Sequence, residues 1–370
     1  MHFSEIIGQD NIIARLIDDV NKETIPHAQL FYGKEGTGNL EIALAYAQYL
    51  NCEDKNNTDS CGTCLSCIKS NKFIHPDIHF SFPVFNKGGS RPPTSDEFLS
   101  DWRDFLTNNT YGNLEDWLLS AKSENKPANI TKEECRNIVK KLSLKTYEGK
   151  YKIMLIWLPE YLGNNSNSLL KILEEPTDNT IFLLIAENKN LLLSTVLSRV
   201  QIVNVPPIDV KLLAEHIAKS QHINLERALY ISNISNGSLR KAKIFCQEEN
   251  NPNEAYLKNW LNMCFKGHPL KMISWSEKIA KESRINQLGF LQYVSNILRQ
   301  ALLSRYGEFS FYSETEEKLS KTLIQLINFD GIDKLNEKIG QSILHVNRNA
   351  NPKILFLNLS FHLNKMLKKS

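Results

Sequence analysis

Eight residues, Gly33-Lys34-Glu35-Gly36-Thr37-Gly38-Asn39-Leu40, carry the glycine frame of a phosphate-binding loop. A working loop reads G-x-x-x-x-G-K-[ST]. Its glycines let backbone N–H groups face phosphate, its Lys neutralises the β- and γ-phosphates, and its Ser or Thr holds Mg²⁺. Here Gly33 and Gly38 hold the two glycine positions, with Gly36 between them. Asn39 stands at the lysine position and Leu40 at the hydroxyl position. A neutral amide cannot replace an ammonium charge, and Leu cannot ligate magnesium. Lys34 follows the first glycine directly and is misplaced for the loop-lysine role. A glycine-rich turn is common in itself, so its setting matters. Ala28–Tyr32 reads as a short buried strand, and 40–50 as a helix with Ala43, Leu44, Ala47 and Leu50 on one face. Strand, loop, helix is the order a phosphate loop requires. The expectation is a nucleotide-binding fold that does not process nucleotide.

The second chemical cluster is cysteine. The run Cys61-Gly-Thr-Cys64-Leu-Ser-Cys67 sets three thiols at x₂ spacing, with Cys52 nine residues earlier. Four thiolates can close a tetrahedral zinc site, leaving no position for water, so such a site is structural. In a reducing compartment clustered cysteines favour metal over disulfides; a redox pair or incidental thiols is the other reading. Cys135, Cys246 and Cys264 are scattered and read as plain buried residues.

The rest of the chain must position these groups. Its 370 residues predict two or three domains. The hydrophobic content of 42% is ordinary for a globular protein, and the net charge of +3 permits a local nucleic-acid-facing patch without demanding one. No stretch approaches a membrane span. Met1-His2-Phe3-Ser4-Glu5 lacks the layout of a signal peptide, so a cytoplasmic location is expected.

Residues 1–206 alternate strands and helices, as an α/β domain does. Strands are expected at 78–82, 153–158, 180–186 and 201–205, and a helix at 166–173 stopped near Pro176. Thr131-Lys-Glu-Glu134 reads as a capping box opening a helix to about Leu144. Segment 84–128 reads as an insertion, with Gly88-Gly89, Pro92-Pro93, and Phe98, Trp102 and Phe105 at helical spacing before Trp117. Its aromatic stripe either packs on the α/β domain or forms a partner-binding face. Pro206-Pro207 marks a boundary. Residues 207–250 read as a small helical lid, with helices at 210–220, 225–234 and 238–248. Asn250-Asn251-Pro252-Asn253 is a linker candidate. Residues 251–370 read as a separate helical domain, with stripes such as Leu288, Leu291, Val294 and Leu298.

Several motifs together resemble the clamp-loader subunits of bacterial DNA polymerase III, of the AAA+ family and the delta-prime type. They are Ile6-Ile7-Gly8-Gln9, His27-Ala28-Gln29-Leu30-Phe31, the four-cysteine module and His75-Pro76-Asp77. Leu169-Leu-Lys-Ile-Leu-Glu-Glu-Pro176 and Ser198-Arg199-Val200 complete the set. The resemblance is strong over 1–205, fair over 206–250 and architectural beyond. It implies an AAA+ P-loop NTPase-like α/β domain with a zinc module at 52–67, then a helical lid and an all-α collar that assembles with sister subunits. The family's motor subunits place Asp-Glu at the end of the third strand. This chain reads Ile156-Trp157-Leu158-Pro159-Glu160 there, with Glu160 about two residues too late to substitute. Without the Asp no carboxylate steadies the metal, and without the Glu nothing orients the attacking water.

Two arginines gain roles from the same resemblance. Arg199 would reach across a subunit interface as an arginine finger acting in trans on a neighbour's ATP; the alternative is a surface Arg with a carboxylate partner. Val200 replaces the family's Cys as a small hydrophobe. Arg240, in Gly237-Ser238-Leu239-Arg240, resembles the motors' second sensor arginine, and with no nucleotide expected its role reads as structural.

The sequence thus leads to a non-catalytic subunit carrying structural Zn²⁺ and hydrolysing no ATP. It would act in DNA replication with gamma/tau-type motor and delta-type sister subunits. The sliding clamp and primer-template DNA would be reached through that assembly, and no membrane is involved. The rivals are an ATP-hydrolysing motor subunit and a stand-alone zinc-containing nucleic-acid-binding protein. The near-neutral charge argues against the second rival.

Overall fold

The computed structural model describes residues 1–88, 91–123, 127–247, 252–303, 314–348 and 350–367. Gly89, part of the 84–128 insertion, Glu248, Asn250, Asn251 and the last residues of the helical region lie outside them. The chain divides into two compact units, one of residues 1–216 and 236–241, the other of 217–235 and 242–370.

In the first unit the order is α1 (Asp10–Asn21), β1 (Ala28–Tyr32), α2 (Asn39–Asn51), α3 (Leu65–Asn71), β2 (Ile78–Ser81), α4 (Leu99–Asn108), α5 (Leu114–Ser120) and α6 (Lys132–Leu142). There follow β3 (Lys152–Trp157), a 3₁₀ stretch (Pro159–Leu169), α7 (Leu170–Glu174), β4 (Thr180–Ala186), α8 (Ser194–Leu197), β5 (Gln201–Asn204) and the start of α9 (Val210–Gln221). The five strands form one sheet in the order β2-β3-β4-β1-β5, every described pairing parallel. Side chains alternate across it, as the period of two dictates. Ile153, Leu155 and Trp157 of β3 and Ile181, Leu183 and Ile185 of β4 enter one core layer, with Phe31 of β1. Met154, Ile156, Phe182, Leu184 and Leu30 enter the other. Both faces are covered, which is why the strands read as continuous apolar runs.

Three local expectations change. All thirteen residues of α2 are buried, not one face. Two of its polar side chains are satisfied by neighbours: Gln48 Nε2 donates to Ser60 Oγ (2.9 Å), and Asn51 exchanges bonds with the Tyr151 backbone (2.9 Å each). The capping box at Thr131 is half formed. The Thr131 hydroxyl accepts from Glu134 N, but the buried Glu134 carboxylate accepts from Ser95 N at 2.9 Å instead of turning back. The helix expected at 166–173 is α-helical only from Leu170. Gly163 (φ 50°) breaks the segment, Ser166 Oγ bonds Gly163 O and Asn165 Nδ2 bonds Ile130 O. Short polar side chains that bond nearby backbone compete with the α-helix in this way.

The insertion's aromatics are core. Phe82 stacks on Trp102 with ring centroids 4.1 Å apart, and Trp117 meets both edge-on. Trp117 Nε1 donates to Pro83 O at 2.8 Å, so its one polar atom is satisfied.

The second unit is helical: α10 (Leu225–Ile234), most of α11 (Leu239–Gln247), α12 (Pro252–Lys266), α13 (Pro269–Ala280), α14 (Arg284–Leu303), α15 (Glu314–Leu326), α16 (Phe329–Asn347) and α17 (Pro352–Leu367). Its core holds the stacked pair Trp260–Trp275 (5.6 Å) with Phe290 and Phe356. Trp260 Nε1 donates to Ser360 Oγ, tying α12 to α17. Among the described residues no helix is long and apolar enough to cross a membrane.

Candidate functional site

The glycine loop leaves β1, an interior strand between β4 and β5, and enters α2. Gly36 (φ 74°) and Gly38 (φ 98°) hold left-handed backbone that side-chain-bearing residues rarely adopt, and Gly38 is the N-cap of α2. The loop therefore has the shape its glycines predict.

Asn39 and Leu40 differ from what a phosphate would need. Asn39 turns inward: Nδ2 donates to Gly33 O (3.1 Å) and Ala186 O (3.4 Å), while Oδ1 accepts from Leu40 N (3.1 Å). Its amide laces the loop shut. Leu40 is 2% exposed in the apolar layer. Gln9, also buried, donates to Thr37 O (3.0 Å) and Pro206 O (2.9 Å), clamping the loop to the exit of β5.

At the end of β3, Trp157 stands where an acid would be and packs on Trp102 (5.1 Å) and Phe105 (5.7 Å) of the insertion. Leu158, in left-handed backbone, is buried as well. Glu160 Oε1 accepts from Glu187 N (2.6 Å) and Asn188 N (2.7 Å), so its carboxylate fixes the exit of β4. Burial pushes the Glu160 carboxyl above the usual range. Burial, with Glu35 and Glu160 nearby, pushes Glu187 up to about 8.

Arg240 is 5% exposed and forks onto Asp116 of α5: Nε to Oδ2 at 2.5 Å, Nη2 to Oδ1 at 2.8 Å. Burial alone would raise the Asp116 carboxyl, but the Arg240 guanidinium outweighs it and holds it low. Glu35 of the loop pairs with Lys241 (3.1 Å) and accepts from Asn113 Nδ2 (2.8 Å). Sequence reasoning missed Glu35, Asn113 and Asp116. Glu35 lies 78 residues before Asn113 in the chain, and only the fold of the insertion brings it to the other two.

Arg199 follows α8. Its Nε (3.0 Å) and Nη2 (2.8 Å) both reach Glu174 Oε2, and Nη1 donates to Thr195 O (2.9 Å). Glu174 belongs to the Leu-Leu-Lys-Ile-Leu-Glu-Glu-Pro stretch, so the structure brings two motif segments together. His27 does the same, its Nε2 lying 2.9 Å from Leu173 O. Asp77 accepts from the N–H groups of Tyr147, Glu148 and Gly149 (2.6, 2.8 and 2.7 Å), fixing the turn before β3. Burial would raise its carboxyl; those three donors hold it below the usual range.

Cys52, Cys61, Cys64 and Cys67 present Sγ atoms all within 4.8 Å of one another. Cys61 and Cys67 sulfurs are 3.9 Å apart, and tetrahedral Zn–S bonds of ~2.3 Å require ~3.8 Å. The N–H groups of Cys61, Cys64 and Cys67 point at the sulfurs of Cys52, Cys61 and Cys64 (3.3, 3.3 and 3.4 Å). Such donors favour thiolate: with Thr63 N–H, the Cys64 N–H holds the Cys61 thiol down to about 6. The four residues fit a tetrahedral, fully sulfur-ligated ion. Cys135 and Cys264 are buried elsewhere and Cys246 is half-buried.

A glycine loop between β1 and α2 on a parallel five-stranded sheet defines a P-loop NTPase-like domain. Residues 8–209 match the family described as DNA polymerase III, delta subunit, and the chain belongs to that family. The chain is 30% identical over 248 residues to the DNA polymerase III subunit tau of Escherichia coli (strain K12), covering 65% of this chain and 32% of that protein. It is 25% identical over 242 residues to the DNA polymerase III subunit delta' of Bacillus subtilis (strain 168), covering 65% of this chain and 60% of that one. The chain thus spans about a third of the tau relative's length. A Thermotoga maritima DNA polymerase III gamma subunit-related protein overlays at TM-score 0.37 and 13% identity, covering 97% of this chain and 99% of that one, too slight a likeness to carry an argument.

Proposed function

We propose that this chain is a non-hydrolysing, delta-prime-type subunit of a DNA polymerase III clamp loader. It would help load a sliding clamp on primed DNA during replication, within an assembly of gamma/tau-type motor and delta-type subunits. The observation that carries this reading is Asn39. At the position of the phosphate-neutralising lysine, its amide is hydrogen-bonded to Gly33 O, Ala186 O and Leu40 N. Trp157 and Leu158 at the end of β3 support it, because neither can hold a metal or orient water. Residues 1–206 would be the AAA+ domain, 207–250 its lid and 251–370 the collar. One structural zinc would sit on Cys52, Cys61, Cys64 and Cys67. Arg199 would leave Glu174 to reach a neighbouring motor's ATP, its planar fork matching phosphate oxygens.

The rival is a motor subunit, and the 30% identity to a tau subunit favours it. Mixing the purified chain with motor, delta-type and clamp proteins separates the two. The first reading expects a complex that loads clamps only when this chain is present, with all ATP turnover lost when the motor's own loop lysine is removed. Turnover that survives that change would favour the motor reading.

A further inference from the structure

The insertion packs against the end of β3, the glycine loop and Arg240. At the strand end, Trp102 and Phe105 pack on Trp157. At the loop, Tyr111 lies against Gly38: a Cβ there would be 3.7 Å from the Tyr111 ring and hydroxyl. Asn113 Nδ2 donates to Glu35 at 2.8 Å. Asp116 takes both arms of Arg240 and also accepts from its own arm, Asn113 N at 3.1 Å and Asn109 Nδ2 at 3.3 Å. The segment carrying Arg240 closes the opposite side. Leu239 N donates to Gly36 O at 2.8 Å, and a Cβ on Gly36 would meet Ser238 Oγ at 2.3 Å. Gly36, Thr37, Gly38, Asn39 and Leu40 are all buried.

We propose that the inserted segment 98–117 is a built-in occupant of the nucleotide site, with the Asp116 carboxylate engaging the Arg240 fork that a phosphate would otherwise engage. Carboxylate and phosphate both match the planar guanidinium fork, so one excludes the other. The inference rests on reading 33–40 as a former phosphate loop and adds a second, independent barrier to nucleotide. Restoring Lys and Thr to the loop is therefore insufficient to restore binding.

The test uses the full chain and a fluorescent ATP analogue with Mg²⁺. Asn39→Lys/Leu40→Thr should show no saturable binding. The same pair combined with Tyr111→Ala/Asp116→Ala should bind at least about tenfold more tightly. Equal binding by the two variants, or none by either, overturns the proposal. Binding by the wild-type chain would also overturn the built-in occupant, whereas the silent-subunit reading falls only if that chain turns ATP over, so the two failures are distinct. If the fourfold variant does not fold, Asp116→Asn alone decides. Inorganic tripolyphosphate should raise its melting temperature by about 2 °C while leaving the wild type unmoved. Equal shifts, or no shift in either, would count against the built-in occupant.

Discussion

Arg199 places two nitrogens on a single oxygen of Glu174, Nε at 3.0 Å and Nη2 at 2.8 Å. The pair is partly open to solvent, with 30% and 60% of the two side chains exposed. An exposed ion pair contributes at most about 1 kcal/mol, so Arg199 is held in place weakly enough to be drawn to a better anion.

The first prediction follows from that pair. Arg199→Ala should leave folding and assembly intact and reduce the ATPase of an assembly containing this chain. Arg199→Lys should not rescue, because a point charge lacks the planar fork. Glu174→Ala should leave the ATPase intact or raise it. A wild-type rate in the Arg199→Ala assembly would reduce Arg199 to a surface arginine.

The cysteine module gives the second. Metal analysis should find about one zinc per four-sulfur site. Cys64→Ser should lower zinc content and expose the 52–67 segment to protease, since metal binding and local folding are coupled. Metal-free protein with unchanged protease resistance would contradict it.

Packing gives the third. Trp102 stacks on Phe82 and meets Trp117, Phe105 and Trp157. Truncating a buried Trp to Ala costs about 3–5 kcal/mol. Chemical denaturation of Trp102→Ala should show a loss of this size in the transition of the first unit. A loss below about 1 kcal/mol would mean the insertion is not part of that core.

The chain's sheet was legible because its strands are buried on both faces. Ala28–Tyr32 and Thr180–Ala186 lie where their apolar runs place them. The glycine loop was legible because left-handed backbone at Gly36 and Gly38 demands glycine. Whole-helix burial of α2 was not, since Gln48 and Asn51 look solvent-facing until Ser60 and Tyr151 are known to cover them. Glu134 likewise carried a local capping signature that a distant backbone donor, Ser95 N, overrode. The Asp116–Arg240 fork was invisible for a similar reason: a charged pair 124 residues apart leaves no periodic trace.

Glu187 yields a pH prediction. Its carboxyl titrates at about 8 in the folded chain, against 4.5 as its ordinary value. The folded state therefore holds a proton that the unfolded state releases between those pH values. The stability it contributes is fully present below 4.5 and is lost as pH rises through about 8. Glu187→Gln, which cannot ionise, should stabilise the chain more at pH 8.5 than at pH 5, read from melting temperatures. A gain that does not change with pH would show that Glu187 is not held protonated.

The central claim is that the loop has lost its nucleotide chemistry, and calorimetry of Mg-ATP with the purified wild-type chain tests it most directly. With Asn39 bonded across the loop and Leu40 buried, the account predicts no micromolar site and no phosphate release. Tight binding accompanied by turnover would contradict it.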